Sequence, residues 1–324
     1  MKTEIVLEQI HDKKVLDIIE RQKRGGLCFV GSKRYVKANN KYVDDYDPNQ
    51  ESNYLMYWDA NNLYGWAMSQ YLPDSNLRFI DISLEEILQT PDDNDTGYFI
   101  ECDLSYPKEL HDKFKEFPPC PENLTPHFEW LSDYQKEIGK NNGNIKNDKY
   151  HGTNKLVPHL FKHEKYVIHY RNLKFIHNLG VKIDKVHNVI SFNQSPWLKS
   201  YIDFNTDMRK KAKNDFEKDF FKLMNNAVLG KTMENVKNRM NIHATTSYNN
   251  AEKLFSKVNM KDSQEFNGLY LIEMYKQEIV YDKPLYVCTS ILDLSKLCMN
   301  QFHYDVISKE FENSYSLVYS DTDS

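Results

Sequence analysis

Long apolar segments are missing from this sequence. No run approaches the roughly twenty apolar residues that a membrane-spanning helix needs, and Met1 to Glu4 lead into no signal-peptide core. These absences argue against an integral membrane protein and against a secreted one. We therefore expect an intracellular protein, nuclear or cytoplasmic and not secreted, that has no membrane partner.

Cysteine is scarce, and its spacing excludes two classes of small scaffold. The five cysteines are Cys28, Cys102, Cys120, Cys288 and Cys298. Their number is odd and no pair has the C-x-x-C spacing, which argues against a disulfide framework and against a zinc ribbon. We expect buried free thiols in a reducing compartment.

Composition indicates a globular protein with an aromatic core. The chain has 324 residues, of which 40% are hydrophobic and 13% aromatic, and it contains 22 Tyr and 17 Phe. A chain of this length can bury a sizeable core and form more than one lobe.

The net charge of −5 conceals a segregation of charge along the chain. Residues 74–133 hold fifteen acidic residues against four basic ones. Basic residues dominate three other segments: seven against none in 21–41, nine against three in 136–174, and nine against five in 206–239. These three segments are candidate contacts for phosphate groups. The alternative for each is a solvated face.

Hydrophobic periodicity predicts a coarse order of elements. We expect a helix over 4–24 that stops at Gly25-Gly26, followed by strands over 28–42, 54–58 and 98–104. We further expect an irregular stretch over 107–126, a polar loop over 141–153, a helix over 162–179 and a strand over 181–192.

The most informative segment is YSDTDS, residues 319–324. A short strand over 315–319 is predicted to enter a tight polar turn that carries Asp321 and Asp323. Residues two apart on extended backbone project to the same side, so both carboxylates could converge on one divalent cation. An isolated D-x-D pair is more often a solvated turn, so its interpretation depends on the rest of the chain.

Two further segments supply matching chemistry. The run NYLMYWDANNLYGWAM, residues 53–68, predicts a buried strand that ends at Asp59. Two strands that each end at an acid can hold two cations for in-line displacement at phosphorus. In FFKLMNNAVLGK, residues 220–231, helical spacing puts Lys222, Asn226 and Leu229 on one face. A cation and an amide on one face suit a triphosphate.

In this order, DANNLYG, KLMNNAVLG and YSDTDS resemble motifs A, B and C of family B DNA polymerases, specifically the protein-primed branch of viruses, linear plasmids and Polinton-type (Maverick) transposons. The stretches SKRYVKANN, GYFIECDLSYPKELHD, HYRNLKF, QSPWLKSYIDFNTDMRKK and ILDLSK resemble the transposon branch as well. The likeness covers most of residues 20–324. It implies a DNA-directed DNA polymerase, a nucleotidyltransferase that replicates a mobile element or a virus-like genome.

The resemblance implies an α+β fold with the palm and fingers of a right-hand polymerase, in which an antiparallel palm sheet packs with helices. It implies five segments: an N-terminal helix and basic template-binding segment (1–50), a first palm part with motif A (51–110), an insertion that binds a primer protein (111–197), fingers with motif B (198–240), and a second palm part ending at motif C (241–324). The fingers are expected as two helices over 204–238, broken near Gly230 or at Lys213-Asn214. The exonuclease domain and a complete thumb are expected to be lacking.

The resemblance also assigns roles to residues. Asp59, Asp321 and Asp323 are the expected catalytic residues, and together with the Ala60 carbonyl they would hold two Mg²⁺ ions, for which Mn²⁺ could substitute. The expected nucleotide-binding residues are Ala60, Asn62, Leu63, Tyr64, Arg209, Lys210, Lys222 and Asn226. The expected DNA-binding residues are Arg24, Gly25, Gly26 and Lys231. The expected partners are a DNA template and primer, deoxynucleoside triphosphates and a terminal primer protein.

Tyr64 has a specific expected role, which is to exclude a 2′-hydroxyl by lying under the sugar; a core aromatic is the alternative. Two elements depart from the family pattern. Ala227 and Leu229 stand where motif B commonly has Ser and an aromatic residue, which predicts weaker stacking on the nascent base pair. Lys23 stands where the family has Tyr in a Tyr-x-Gly-Gly element, and a basic residue there still suits a phosphate.

Two other functions stay open at this point. An inactive, truncated polymerase remnant would bind nucleic acid through the same basic segments, with a steep salt dependence and no metal dependence. A reverse transcriptase also carries paired aspartates on a palm hairpin, although the aspartate pair together with Tyr64 and the Lys222 helix resembles the DNA-templated family more closely.

Overall fold

The computed structural model describes residues 3–31, 33, 35–312 and 314–324. Its strands are β1 Cys28–Val30, β2 Leu72–Ile80, β3 Thr96–Ser105, β4 Glu122–Leu124, β5 Ile145–Lys146, β6 Lys149–Tyr150, β7 Lys155–Val157, β8 His163–His169, β9 Lys182–Ser195, β10 Met240–Thr245, β11 Met260–Phe266, β12 Leu269–Tyr275 and β13 Tyr319–Asp321. Arg34, one of the basic residues of segment 21–41, lies outside the described residues.

The helices complete the architecture. The α-helices are α1 Lys13–Gln22, α2 Leu63–Met68, α3 Leu84–Gln89, α4 His111–Phe114, α5 Asp133–Asn141, α6 Tyr170–Leu179, α7 Lys199–Lys211, α8 Asp215–Thr232, α9 Tyr248–Phe255, α10 Leu285–Gln301 and α11 Ser308–Phe311. Short 3₁₀ turns cover Lys108–Leu110, Phe128–Trp130 and Val236–Asn238, and a π-helical segment covers Phe302–Ile307. None of the helices in the described part of the chain combines the length and the hydropathy that crossing a bilayer requires.

A four-stranded sheet in the order β2-β9-β3-β8 lies at the centre of the fold. Side chains of β3 alternate between two buried clusters, because successive residues of a strand point to opposite faces. Phe99, 1% exposed, packs with helices α1, α2 and α10 on one face, and Ile100, 0% exposed, packs with α4 and α6 on the other. The predicted strand over 98–104 is therefore confirmed. The sheet combines β2 and β3, which precede residue 110 in the sequence, with β8 and β9, which follow it. Residue 110 is where the predicted division changes from the first palm part to the insertion.

Two smaller units flank this sheet. Strands β10, β12 and β11 form an antiparallel sheet that packs against α9 through Ala251, Ile272 and Met274. Strand β1 pairs with β13 in antiparallel register. The strand pairs of the described residues are antiparallel throughout. The predicted α+β class with antiparallel sheets is confirmed, whereas the finer division into palm and fingers stays a prediction.

Several predicted elements differ from the structure at their ends. Helix α1 begins at Lys13 instead of residue 4, because the Asp12 carboxylate accepts from Lys14 N (2.7 Å) and caps it there. The earlier residues run beside β2, where Glu8 N donates to Asp74 O (3.0 Å). Of the predicted strand over 28–42, the described residues form a strand only in β1, and Ser32 and Arg34 lie outside the described residues. The predicted helix over 162–179 divides into β8 and α6, which begins after His169.

Turn chemistry accounts for the regular structure that the sequence interpretation missed. In the predicted loop over 141–153, β5 and β6 form a hairpin whose two turn residues, Asn147 and Asp148, have φ angles of 50° and 52°. Asn and Asp tolerate the left-handed region that such two-residue turns need. The 107–126 stretch, predicted as irregular, contains the Lys108–Leu110 turn, α4 and β4.

The two helices predicted over 204–238 are α7 and α8, although α7 begins earlier, at Lys199, and α8 ends at Thr232. The break lies at Lys213-Asn214, as one of the two predicted positions has it, because the Asn214 side chain accepts from Glu217 N (2.9 Å) and starts α8. Gly230 lies inside α8. Among the free cysteines, Cys102, Cys120 and Cys288 are buried as expected, whereas Cys28 is exposed.

Candidate active site

The acidic turn 321–324 is fixed by its own backbone and by β1. Asp321 ends β13 opposite Cys28, and Thr322 N donates to Leu27 O (2.8 Å). Asp321 N donates to Ser324 O (3.0 Å), and Ser324 N donates to Asp321 O (3.1 Å). Thr322 has a φ of 57°, so the chain turns between the two aspartates. The same-side argument for an extended chain is therefore wrong, and the tight turn keeps Asp323 beside Asp321 instead.

Asp59 reaches this turn from another part of the chain. Ala60 N donates to Asp323 O over 2.6 Å, which ties the two segments together directly. The predicted strand over 54–58 is not formed, and its apolar side chains are 45–72% exposed. Asp59 is thus an exposed residue of a segment without regular secondary structure, not the end of a buried strand.

The electrostatics of Asp323 show which charges surround it. Partial burial raises the pKa of the Asp323 carboxyl, and the negative charges of Asp59 and Asp321 raise it further. The Lys222 ammonium acts in the opposite direction. Three acids and one lysine from three separated segments of sequence therefore act on one another in space.

Tyr64 lies at the edge of the same group. Burial raises the pKa of its hydroxyl first, and the charge of Asp323 adds to that effect. Tyr64 is carried by α2, whose start is shaped by Asn62 in the left-handed region (φ 62°). A side chain at Gly65 would overlap the Asn62 amide, so glycine permits this tight start. Leu63 is buried and anchors the helix.

Helix α8 presents only part of its predicted face. Lys222 and Asn226 are exposed, as a nucleotide contact requires, but Leu229 is 7% exposed and belongs to the main core. The predicted common face of these three residues is therefore split between solvent and core. On α7, Arg209 and Lys210 are exposed in the last turn, and Lys210 lies 3.9 Å from the Asp207 carboxylate.

The residues expected to contact DNA differ in their exposure and in their partners. A Cβ at Gly26 would lie 2.9 Å from Thr322 Cβ, so glycine allows β1 to approach the acidic turn, whereas Gly25 faces open space. Lys231 pairs with Glu234 (2.9 Å) and is largely exposed. Lys23 Nζ donates to Met233 O (3.0 Å), which links α1 to the end of α8.

Arg24 requires a correction. Its side chain is buried, the guanidinium lies 3.7 Å from the centre of the Tyr166 ring, and Nη2 donates to Val167 O (2.8 Å). Its counter-charge is Asp293, at 3.9 Å. The guanidinium holds the interior together and is not presented to a phosphate. The basic composition of 21–41 could not reveal this, because the partners come from β8 and α10.

Tyr319 is a contact of the site to which the sequence interpretation gave no role. Its hydroxyl donates to Asp321 Oδ2 (3.2 Å) and lies 3.8 Å from Cys28 Sγ. The spacing Y-x-D on one strand places both side chains on the same side, which was the available signal.

The donor set of this site suits a hard divalent cation. Asp59, Asp321, Asp323 and the Ala60 carbonyl offer oxygen ligands only, which Mg²⁺ prefers. Among the described residues, the three carboxylates are not drawn together within 4.8 Å of one another. Burial is the main cause of the raised pKa of Asp323, and the charges of Asp59 and Asp321 add a repulsion that bound cations would relieve.

No protein-family model and no curated protein matches the sequence. The fold is similar to solved structures of Phi29 DNA polymerase. The ternary complex with primer-template DNA and incoming nucleotide substrates has a TM-score of 0.52 at 14% identity. The post-translocation binary complex with primer-template DNA has a TM-score of 0.51 at 13% identity. In both, the match covers 99% of this chain and 44% of the other, so this chain spans less than half the length of the proteins it resembles in fold.

Proposed function

We propose that this chain is the core of a protein-primed, family B type DNA-directed DNA polymerase. It would add deoxynucleotides to a primer 3′-hydroxyl by two-metal phosphoryl transfer and replicate a mobile element or virus-like genome. The observation that carries the proposal is the meeting of separated segments at one acid. Ala60 N–H binds Asp323 O (2.6 Å), and the charges of Asp59, Asp321 and Lys222 all act on the Asp323 carboxyl. The fold similarity to a DNA polymerase agrees with it.

The carboxylates have distinct tasks in this proposal. Asp59 and Asp323 would hold both metal ions, Asp321 would assist, and the Ala60 carbonyl would complete one coordination shell. Mg²⁺ held there would supply charge neutralisation at the reacting phosphate and activation of the attacking hydroxyl. The Asp321 carboxylate accepts from the Tyr319 hydroxyl at Oδ2 (3.2 Å) and from Thr322 Oγ1 at Oδ1 (3.3 Å), and each oxygen keeps a second lone pair for a cation.

The nucleotide is held from the side of α7 and α8. Lys222 binds the triphosphate with help from Arg209 or Lys210, and Asn226 contacts the sugar-phosphate side. These side chains are exposed and so accessible to a ligand. Tyr64 supports the sugar and excludes a 2′-hydroxyl, with Asn62 and Leu63 shaping the start of its helix. Positioning and charge neutralisation are the main sources of rate in such reactions.

DNA contacts in the proposal come from exposed surface. Gly25 faces open space beside the acidic turn and allows close approach of a phosphate to backbone. Gly26 holds β1 against that turn, and Lys231 is a candidate phosphate contact once its pair with Glu234 opens. The segment 111–197 is the proposed binding region for a terminal primer protein.

Primer extension on a template-primer duplex with Mg²⁺ or Mn²⁺ tests the proposal. Asp323→Asn should reduce extension to background, because a neutral amide cannot replace the bridging charge. Asp262→Asn, on exposed β11 outside the site, is the matched control and should extend like the original chain. A folded, original chain that binds DNA but extends no primer with either metal would refute the catalytic proposal and support a binding-only protein. Preference for a ribo-template would indicate a reverse transcriptase.

Lys222→Ala tests the nucleotide site separately. Loss of a charged hydrogen bond costs about 1.5–3 kcal/mol, so nucleotide use, measured as kcat/KM, should fall on the order of 10- to 100-fold. Lys218→Ala is the control one turn earlier in α8, where Lys218 pairs with Asp215 (3.0 Å). An equal effect of both substitutions would contradict the specific role of Lys222.

A further inference from the structure

A group of metal-ligating side chains lies outside the candidate active site, between β4 and β8. Glu122, His159 and His163 each offer one ligand atom, and these atoms all lie within 4.8 Å of one another. His159 Nε2 and Glu122 Oε2 are 3.2 Å apart. Two donors on one tetrahedral Zn²⁺, with bonds of about 2.0–2.2 Å, lie roughly 3.3 Å from each other. One pair is thus already at coordination distance.

His163 supplies the second observation. Its ring is fully buried, and Nε2 lies 2.8 Å from Cys120 O. A carbonyl can only accept, so Nε2 carries the proton and Nδ1 keeps its lone pair. Nδ1 is buried without a hydrogen-bond partner in the described structure. A backbone carbonyl that fixes one ring nitrogen while the other binds metal is the usual outer-shell arrangement of a histidine ligand.

The two rings must adjust before they can share one ion. The imidazoles stack with their centres 4.4 Å apart and their planes within 8°, so their in-plane lone pairs are nearly parallel and one ring must rotate to face the same ion. His159 Nδ1 accepts from Phe161 N over 3.3 Å, so Nε2 carries the proton, and coordination through Nε2 would move that proton to Nδ1 and break this long hydrogen bond. Trp130 stacks on Phe161 at 4.8 Å and shields this side. Glu122 is half-buried, so the group opens to solvent on the carboxylate side.

One nearby charge opposes a cation here. Burial is the main reason that the pKa of His163 falls to about 4, and the Arg24 guanidinium acts in the same direction. Arg24 is compensated in part by Asp293. A metal at this position therefore requires the negative charge of Glu122, and two neutral imidazoles alone would not hold it.

We propose that Glu122, His159 and His163 form a Zn²⁺ site with water as a fourth ligand. Two imidazoles and one carboxylate are a ligand set that Zn²⁺ accepts, and they suit it better than Mg²⁺, which prefers oxygen. The ion would tie the Glu122–Leu124 strand and the segment after Lys155–Val157 to the start of β8. The site is separate from Asp59, Asp321 and Asp323 and does not depend on the polymerase proposal.

Zinc content is measured on the folded chain by inductively coupled plasma mass spectrometry after equilibration with Zn²⁺ and an excess of Mg²⁺, which competes for the acidic turn. We expect one Zn²⁺ per chain. Glu122→Gln, His159→Gln and His163→Gln should each weaken binding about tenfold or more, because each removes a ligand. His151→Gln, an exposed histidine of the same region, should leave binding unchanged.

Two further measurements distinguish zinc binding at this site from metal binding at the acidic turn and from loss of folding. Co²⁺ should give the visible absorption of a tetrahedral site in the original chain and in Asp323→Asn, but not in Glu122→Gln. Circular dichroism establishes that each variant is folded, and Glu122→Gln, at a half-exposed position, decides the result if a histidine variant does not fold. Absence of bound Zn²⁺, equal binding by folded Glu122→Gln, or loss of binding in Asp323→Asn would each overturn the proposal.

Discussion

Asp293 is a buried acid on α10, 2% exposed, and the structure makes a quantitative prediction for its removal. Its Oδ2 accepts from Gln22 Nε2 on α1 (2.8 Å) and from His169 N at the end of β8 (3.0 Å). Its Oδ1 lies 3.9 Å from Arg24 Nη1. One carboxylate thus joins α1, α10 and the central sheet. Its partner Arg24 lies directly before the Gly25-Gly26 turn that leads to β1.

Asp293→Ala should destabilise the fold by about 3–5 kcal/mol, because it leaves the buried Arg24 charge uncompensated. It also leaves Gln22 Nε2 and His169 N without an acceptor. Asp293→Asn keeps an oxygen in place and removes the charge, so its cost should be lower, about 1.5–3 kcal/mol. If Arg24 and Asp293 interact as the geometry indicates, Arg24→Met combined with Asp293→Asn should cost less than the two single changes added together.

The measurement is the free energy of unfolding from urea titration, followed by far-ultraviolet circular dichroism at pH 7. Asp203→Ala is the control, because Asp203 forms only an exposed pair with Lys199 (2.7 Å) and should cost less than about 1 kcal/mol. A cost below about 1 kcal/mol for Asp293→Ala, or strict additivity of the double variant, would refute the buried network. Such a result would also make Arg24 a candidate phosphate contact again.

Two further predictions concern packing and pH. Gly26→Ala should lower the free energy of unfolding by about 1–3 kcal/mol through overpacking, because the added Cβ meets the Thr322 side chain. Thr322→Gly should restore most of that loss in the double variant. Equal urea midpoints for Gly26→Ala and the original chain would contradict this prediction. Burial lowers the pKa of His303 to about 4. Between pH 6.5 and 4 the unfolded chain therefore binds a proton at this histidine that the folded chain does not. The free energy of unfolding should fall as pH falls through this range, by as much as about 3 kcal/mol. His303→Gln should reduce the slope of the unfolding free energy against pH in this range without removing it, because burial lowers the pKa of His163 to about 4 as well, whereas exposed His11→Gln should leave the slope unchanged.

The sequence predicted elements best where local pattern and tertiary packing agree. One face of the strand over 98–104 is apolar throughout (Tyr98, Ile100, Cys102 and Leu104), and β3 is largely buried on both faces. The break between α7 and α8 follows from the capping side chain of Asn214, a local signal. The helix over 4–24 was too long because its first residues follow β2 instead, a contact that periodicity does not encode.

The membership of the candidate site stays a prediction, and its geometry could not be read from the sequence. Asp59, Asp323, Lys222 and Tyr64 were expected together because of the resemblance, and the structure brings them within electrostatic reach. The proposed zinc ligands gave a weaker signal. Cysteine spacing gives no sign of them, because His159 and His163 stand four residues apart and Glu122 comes from a distant part of the sequence.

The segment before Asp59 shows why the strand prediction failed. Its aromatic residues fit a buried strand, yet the Trp58 ring packs against Phe302 in the π-helical segment after α10 and against Phe311 at the end of α11, at ring distances of 6.0 and 6.4 Å. Aromatic packing on one side and the Ala60 N–H bond to Asp323 O on the other position Asp59 without a strand ladder. The placement of this acid therefore depends on a few contacts at its own position, and substitution of Trp58 should affect the site more than substitution of exposed Tyr57.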